Sequence, residues 1–230
     1  MKKYSLTTNT KTSAPVSGVL LFQIQAERDI KIHNVKKGDL GGWIEKEANL
    51  AQDGDCWVRG NAQVSDDALV EENALVFDDA KVYDNSKVSG NSLVFESAWV
   101  ENNSWIYDYS QVFGDCWVRG NAQVFDHSKV SGCSRIFNRA RVSGHACING
   151  NVWVFENAWV RGDTRISGNN KVYGNTTMGL NEFPNENIIP KSSTVEDTTC
   201  PHLNRKVVTY GVDKSYWYCP DCKEDVGNIS

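Results

Sequence analysis

The chain has 230 residues, of which 40% are hydrophobic and 23% charged, with a formal net charge of −5 at pH 7. It contains no run of about 18 apolar residues, which excludes a membrane-spanning helix. Polar residues follow Met1 where a secretory signal would need an apolar core. Seven cysteines, mostly unpaired by spacing, fit a reducing compartment better than a disulfide framework. We therefore expect a cytoplasmic protein.

The first 50 residues lack the short period that dominates the rest of the chain. Residues 19–26 (Val-Leu-Leu-Phe-Gln-Ile-Gln-Ala) predict a β-strand, and residues 37–42 (Lys-Gly-Asp-Leu-Gly-Gly) predict a turn. Residues 44–50 then adopt the apolar spacing of the following segment, and residues 51–55 contain two extra residues before that spacing resumes. Because a solenoid needs an atypical terminal unit over its open core, residues 1–50 are predicted to form an N-terminal β cap.

From Val58 to Met178 an aliphatic residue occurs at every sixth position. Of these 21 positions, 16 are Val, four are Ile and one is Met, and a small residue typically lies two positions before the aliphatic one. Residues two apart in an extended segment face the same side. The second position after the aliphatic residue is Gly in ten of 20 hexads, and the third is Asn or Asp in 14. Since these residues tolerate the left-handed backbone region, the period predicts short strands joined by sharp corners around a Val/Ala core.

The hexads, for example Val-Arg-Gly-Asn-Ala-Gln at 58–63 and again at 118–123, resemble the left-handed parallel β-helix of hexapeptide-repeat proteins. That resemblance implies three hexads per triangular coil, hence about seven coils over residues 51–178, and it alone implies the handedness. A β-meander or another solenoid is the alternative.

Residues 21–26 (Leu-Phe-Gln-Ile-Gln-Ala) and 37–47 (Lys-Gly-Asp-Leu-Gly-Gly-Trp-Ile-Glu-Lys-Glu), together with the Gly-Asn-Ala hexads, are similar to YdcK-like proteins of enterobacteria and their phages. The similarity covers roughly residues 1–178. It implies a β-helix related to hexapeptide acyltransferases, and it implies no particular reaction.

The charges are divided unevenly along the repeat. Residues 51–115 contain 13 Asp or Glu against three Lys or Arg, a difference of −10, whereas residues 116–178 contain three against eight, a difference of +5. Such an asymmetry can steer a charged partner or favour head-to-tail contacts between copies. Sequence drift after duplication, on a surface exposed to solvent, explains the charge asymmetry equally well.

Aromatic residues recur at outward positions with the 18-residue spacing of one coil. Contiguous apolar side chains on a surface mark an interface, so these columns predict packing against another copy or against the chain's own tail. The resemblance to hexapeptide-repeat proteins implies a trimer, and a dimer is the alternative. A nucleic-acid stacking platform is a further hypothesis, which acidic neighbours such as Glu101 disfavour. The predicted interface residues are Phe77, Phe95 and Phe113 in one column and Trp99, Trp117 and Trp153 on another face.

Residues 179–199 lose the period and contain Pro184 and Pro190, so they read as a linker. Residues 200–230 contain Cys-Pro-His and Cys-Pro-Asp-Cys, a spacing suited to a small zinc ribbon with a closed, structural site. His202 would replace the second cysteine of the usual first pair, and four reduced side chains in a flexible tail are the alternative. The predicted zinc ligands are Cys200, His202, Cys219 and Cys222.

Catalytic residue types meet at one place in the repeat. His127 and His145 are 18 residues apart and would stack at one corner beside Tyr109 and Asp163, where solvated corner side chains are the favoured interpretation. We therefore expect a non-enzymatic module that binds protein, itself included, or serves a structural role. The YdcK-like resemblance implies that it is phage- or bacteria-encoded and that a host protein is a candidate partner. An acyltransferase or its inactive relative is one alternative, and nucleic-acid binding by the basic second half and the tail is another.

Overall fold

The computed structural model describes residues 2–13 and 18–179 in full, and the backbone of three strands between residues 206 and 228. The chain divides into two compact units, Met1–Pro190 and Lys191–Ser230. The first unit begins with three strands, β1 (Tyr4–Thr12), β2 (Leu20–Ala26) and β3 (Leu40–Ile44). Two 3-10 turns, Lys31–His33 and Glu47–Asn49, lie on either side of β3.

A series of 21 two-residue strands follows, one in each hexad. They are β4 (Trp57–Val58), β5 (Gln63–Val64), β6 (Leu69–Val70), β7 (Leu75–Val76), β8 (Lys81–Val82), β9 (Lys87–Val88), β10 (Leu93–Val94), β11 (Trp99–Val100), β12 (Trp105–Ile106), β13 (Gln111–Val112), β14 (Trp117–Val118), β15 (Gln123–Val124), β16 (Lys129–Val130), β17 (Arg135–Ile136), β18 (Arg141–Val142), β19 (Cys147–Ile148), β20 (Trp153–Val154), β21 (Trp159–Val160), β22 (Arg165–Ile166), β23 (Lys171–Val172) and β24 (Thr177–Met178).

These strands form three sheets, because each strand pairs in parallel with the strand one turn, or 18 residues, further on. Val94, for example, lies opposite Val76 on one side and Val112 on the other. Sheet 1 runs β1-β2-β3-β5-β8-β11-β14-β17-β20-β23, and its first two pairings are antiparallel. Sheet 2 contains β4, β7, β10, β13, β16, β19 and β22, and sheet 3 contains β6, β9, β12, β15, β18, β21 and β24. The predicted parallel solenoid is confirmed.

The solenoid has about eight turns, one more than the repeat predicts. The additional turn comes from the segment before the repeat, since Ile44 pairs with Val64 and Leu50 bridges to Val70. Both pairs are 20 residues apart instead of 18, and the two extra residues lie in 51–55, as the spacing predicts.

The interior consists of the periodic aliphatic residues and the small residues two before them. Every periodic residue from Val58 to Val160 has no exposed surface, and Met178 at the far end is 2% exposed. Where the small residue is Ser, its hydroxyl donates within its own hexad, as Ser86 does to the carbonyl of Tyr83 at 2.7 Å. The core therefore tolerates hydroxyl groups without leaving them unpaired.

At each corner the first residue of the polar pair has a positive φ, both at glycines such as Gly90 (φ 70°) and at Asp84 (φ 57°). Even Glu72 adopts this conformation, with φ 58°. Its carboxylate accepts the backbone N–H of Gly90 one turn later at 2.6 Å, and Asp84 accepts that of Asn102 at 3.0 Å. These bonds between turns offset the cost of the left-handed backbone.

The second unit contains a three-stranded antiparallel sheet, β25 (Lys206–Thr209), β26 (Ser215–Cys219) and β27 (Glu224–Asn228). Over the part of the chain that the structure describes, no helix has the length and apolarity that a membrane span requires.

Candidate interaction face on sheet 1

The outward residues of sheet 1 form a continuous column of aromatic and basic side chains. We call this column the tryptophan ladder. Trp99 and Trp117 stack with ring centroids 5.2 Å apart and 9° between the planes. In order along the sheet, the ladder consists of Lys81, Trp99, Trp117, Arg135, Trp153 and Lys171.

Cations cover the ring faces that no other ring covers. The ammonium of Lys81 lies 4.5 Å from the Trp99 centroid, and that of Lys171 lies 4.8 Å from the Trp153 centroid. The Arg135 guanidinium lies between Trp117 and Trp153, at 5.6 and 5.1 Å. These distances are those of cation–π contacts. Burial, followed by the nearby charge of Arg119, lowers the pKa of Arg135.

A second column runs beside the ladder on the same sheet. Phe137 and Phe155 stack at 4.9 Å, and Phe155 and Tyr173 at 5.2 Å. Phe137 also meets the ring of Trp153 edge to face at 6.2 Å, which joins the two columns. Sheet 1 thus presents the ladder and, beside its later part from Phe137 to Tyr173, a second aromatic column; we call the two columns together the ladder face.

The other predicted column, Phe77, Phe95 and Phe113, lies on sheet 2. Its rings stack at 4.7 and 4.8 Å with 7° between neighbouring planes. All six predicted interface residues are partly exposed. The two predicted columns therefore occupy different faces of the solenoid.

Sequence reasoning missed three features of this surface. It treated Trp99, Trp117 and Trp153 as one apolar strip, whereas Arg135 separates the last two. It left out the cations of the ladder, although they follow the same 18-residue spacing. It also left out the stack of Tyr107 on Phe125 at 4.9 Å on sheet 3. Extending the spacing rule to basic residues and tyrosines would have found all three.

The corners that border sheet 1 change in charge along its length. In the first turns they contain acidic residues that line two open depressions, including Asp78, Asp79 and Glu96 on one side and Asp66, Asp67 and Asp84 on the other. In the later turns the corresponding corners contain Gly, Asn, Asp115, Cys133, Arg139 and Glu156. The acidic rim therefore borders the early part of the ladder, which begins at Lys81, whereas the corners beside the later part hold fewer acidic residues.

The predicted histidine corner is assembled as expected. The ring of His127 lies 5.0 Å from Tyr109 on one side and 5.0 Å from His145 on the other, centroid to centroid. Tyr109, His127 and His145 are all exposed. The backbone N–H of His145 donates to the carbonyl of Gly162, which places Asp163 one turn beyond it.

The predicted zinc ligands Cys200, His202 and Cys222 lie outside the described residues. Cys219 ends β26, and only its backbone is described. Within residues 2–13 and 18–179, no group of three or more His, Cys, Asp or Glu side chains is arranged to hold a metal ion. The zinc site stays a prediction.

The fold defines the class of protein, a parallel β-solenoid with aromatic ladders on its faces. No protein-family model matches the chain, and no match was found among curated proteins.

Proposed function

We propose that this chain is a left-handed hexapeptide-repeat β-helix of the YdcK-like kind that acts without catalysis, as a structural or protein-binding module. Its binding surface is the ladder face, and its first partner is a second copy of the chain. The observation that carries the proposal is the tryptophan ladder, in which Trp99 and Trp117 stack and three cations cover the remaining ring faces.

The orientation of the rings supports a protein partner. Within each column of the ladder face, neighbouring rings are nearly parallel and 4.9 to 5.2 Å apart, so each ring covers the face of the next and points an edge at solvent. Aromatic edges carry partial positive charge. Together with Arg135 and Lys171 they make the later part of the ladder face electropositive, which favours carboxylates on the partner.

A second copy supplies those carboxylates. The acidic rim in the early turns includes Asp78, Glu96 and Asp84 and borders the same sheet. If two copies meet antiparallel through sheet 1, the basic end of each lies against the acidic end of the other. A two-fold contact of this kind is self-complementary and closes as a dimer. The charge difference between the halves, −10 against +5, gives the complementarity.

The same ring geometry argues against nucleic-acid stacking. Bases bind single-stranded recognition surfaces by lying on exposed aromatic faces. In the ladder face those positions are taken by neighbouring rings and by Arg135, at 5.1 Å from Trp153. We expect no shift of single-stranded DNA mobility by the protein at physiological salt.

The acyltransferase alternative depends on His127 and His145. Their rings stack on each other and on Tyr109 at an exposed corner, as solvated side chains do. Acetyl-CoA binding in calorimetry that His127→Ala or His145→Ala abolishes would support this alternative instead.

The remaining parts of the chain are assigned accessory roles. Residues 1–50 would cap the open end of the core, a role consistent with the Tyr4 hydroxyl lying 2.8 Å from the carbonyl oxygens of Glu47 and Leu50. The tail would hold structural zinc. A host protein is the further partner that the phage resemblance implies, and the cytoplasm is the expected compartment.

Light scattering coupled to size exclusion tests the dimer. The intact chain should be a dimer at low salt that weakens at high salt, because the contact pairs opposite charges. Trp117→Glu with Phe155→Glu should give monomers. Trp105→Glu, on sheet 3, and Phe95→Glu, on sheet 2, are matched controls that should stay dimeric. A monomeric parent would contradict the proposal. So would control variants that dissociate while the variant carrying both Trp117→Glu and Phe155→Glu stays dimeric.

A further inference from the structure

Lys3 and Cys56 form a buried amine–thiol pair at the start of the solenoid. The Lys3 Nζ lies 2.9 Å from the Cys56 Sγ, and neither residue has exposed surface. The only other hydrogen bond of the Lys3 Nζ among the described residues is to the carbonyl of Asp53, at 3.3 Å. A buried lysine without a carboxylate partner is rare in proteins, since desolvation opposes its charge.

The backbone fixes this pair in place. The Lys3 N–H donates to the Gln52 side-chain oxygen at 2.8 Å, and the Gln52 amide donates back to the carbonyl of Tyr4 at 3.2 Å. Cys56 occupies the inward small-residue position of the first hexad. The amine and the sulfur are therefore held in contact by two separate segments of the chain.

We infer that Lys3 and Cys56 are an oxidative cross-linking site, at which peroxide joins the Nζ and Sγ atoms through a sulfenamide bond. The contact distance and the shared burial carry this inference. The linkage would tie β1 to the first turn of the solenoid and would respond to the redox state of the compartment.

The reaction balances with one molecule of hydrogen peroxide. Proton transfer from the Cys56 thiol to Lys3 gives a thiolate, which attacks a peroxide oxygen and breaks the O–O bond. The Lys3 ammonium returns a proton to the departing hydroxide, which leaves as water, and Cys56 becomes a sulfenic acid. The neutral Lys3 amine then attacks sulfur, the S–O bond breaks, and a second water leaves with a proton from nitrogen. Sulfur loses two electrons and peroxide gains them.

The electrostatics of the pair suit the second step. Burial lowers the pKa of Lys3, so the amine is more readily neutral than a solvated lysine. Burial also raises the pKa of Cys56, and the adjacent Lys3 opposes that rise. Lys3 therefore reduces the cost of forming the thiolate in the first step and supplies the nucleophile in the second.

The chain contains its own control. Cys116 lies in an identical eleven-residue sequence 60 positions later and is equally buried, but its sulfur contacts the carbonyl of Gly132 at 3.4 Å instead of an amine. Burial raises the pKa of Cys116 to about 12. Cys133 is exposed and reports that the oxidant is active.

The test is treatment of the full chain with hydrogen peroxide, followed by proteolysis and mass spectrometry. We expect a peptide joining Lys3 to Cys56 that lacks the mass of two hydrogen atoms and separates after thiol reduction. It should form in the parent and in Cys116→Ala, and should be absent from Cys56→Ala and from Lys3→Met, which removes the buried charge and so should fold. If Cys133 is oxidised while Cys56 stays unmodified, or if Cys56 gains oxygen without a link to Lys3, the inference is wrong.

Discussion

Trp99 and Trp117 lie face to face, with 5.2 Å between ring centroids, although 18 residues separate them in the chain. The relationship is general in this molecule, because each outward residue lies beside the residue at the same position one turn later. A surface column can therefore be built with one residue per turn. Parallel pairing at the interstrand spacing of about 4.8 Å is close to the distance at which aromatic rings stack.

Arg135 should stabilise the fold by joining the ladder across the gap between Trp117 and Trp153. We expect Arg135→Ala to lower the free energy of unfolding by about 1–2 kcal/mol, since the guanidinium contacts two rings. Arg165→Ala, at the corresponding outward position of sheet 2, is the control and should change it by less than about 0.5 kcal/mol. Urea denaturation measures both, and equal losses would show that the ladder contacts contribute nothing.

The corner glycines should differ in their tolerance of alanine. A Cβ on Gly132 would lie 2.5 Å from the backbone nitrogen of Gly150, whereas a Cβ on Gly168 would meet no atom within 4 Å. Both residues have positive φ, so each alanine costs about 1–2 kcal/mol in backbone conformation. Gly132→Ala should lose about 1–3 kcal/mol more through overpacking. Thermal melts measure the difference. Equal melting temperatures for the two variants would contradict the prediction, because they would show that neighbouring turns separate to make room for the added Cβ.

Cys116 should make the protein sensitive to alkali. Burial raises its pKa to about 12 from an ordinary value of 9.0. The folded state favours the neutral thiol, so the stabilisation is complete below pH 9 and is lost as the pH rises from 9 to 12. The parent should lose up to about 1.4 kcal/mol per pH unit more than Cys116→Ala in this range. Parallel stability curves for the two proteins would contradict the raised pKa.

Zinc should be present at one ion per chain if Cys200, His202, Cys219 and Cys222 are its ligands. Because metal binding in so small a unit also supplies its folding energy, a chelator should expose residues 200–227 to protease. The solenoid should resist protease under the same treatment. Metal analysis of the purified protein, with Cys222→Ser as the comparison, checks the stoichiometry. A preparation without zinc, or a tail whose protease sensitivity does not change with chelator, would rule the site out.

The sequence by itself determined the solenoid. An aliphatic residue every sixth position, with a small residue two before it, allows one inward column and repeating corners, and the burial of Val58 through Val160 follows that pattern. The sequence also indicates part of the extra turn, since Ile44 and Leu50 already have the spacing of inward residues. Periodicity identifies such contacts because they join equivalent positions.

Only the tertiary structure decided which side chains meet on the surface and at the start of the chain. The 18-residue spacing already places Arg135 between Trp117 and Trp153, but the contact of its guanidinium with both rings, and the presentation of ring edges instead of faces, depend on side-chain rotamers, which the six-residue period does not specify. The contact of Lys3 with Cys56 joins segments outside the repeat, so no spacing rule relates them. Residue types and their period fixed the backbone path, whereas side-chain packing and the non-repeating N-terminal strands determined which groups meet.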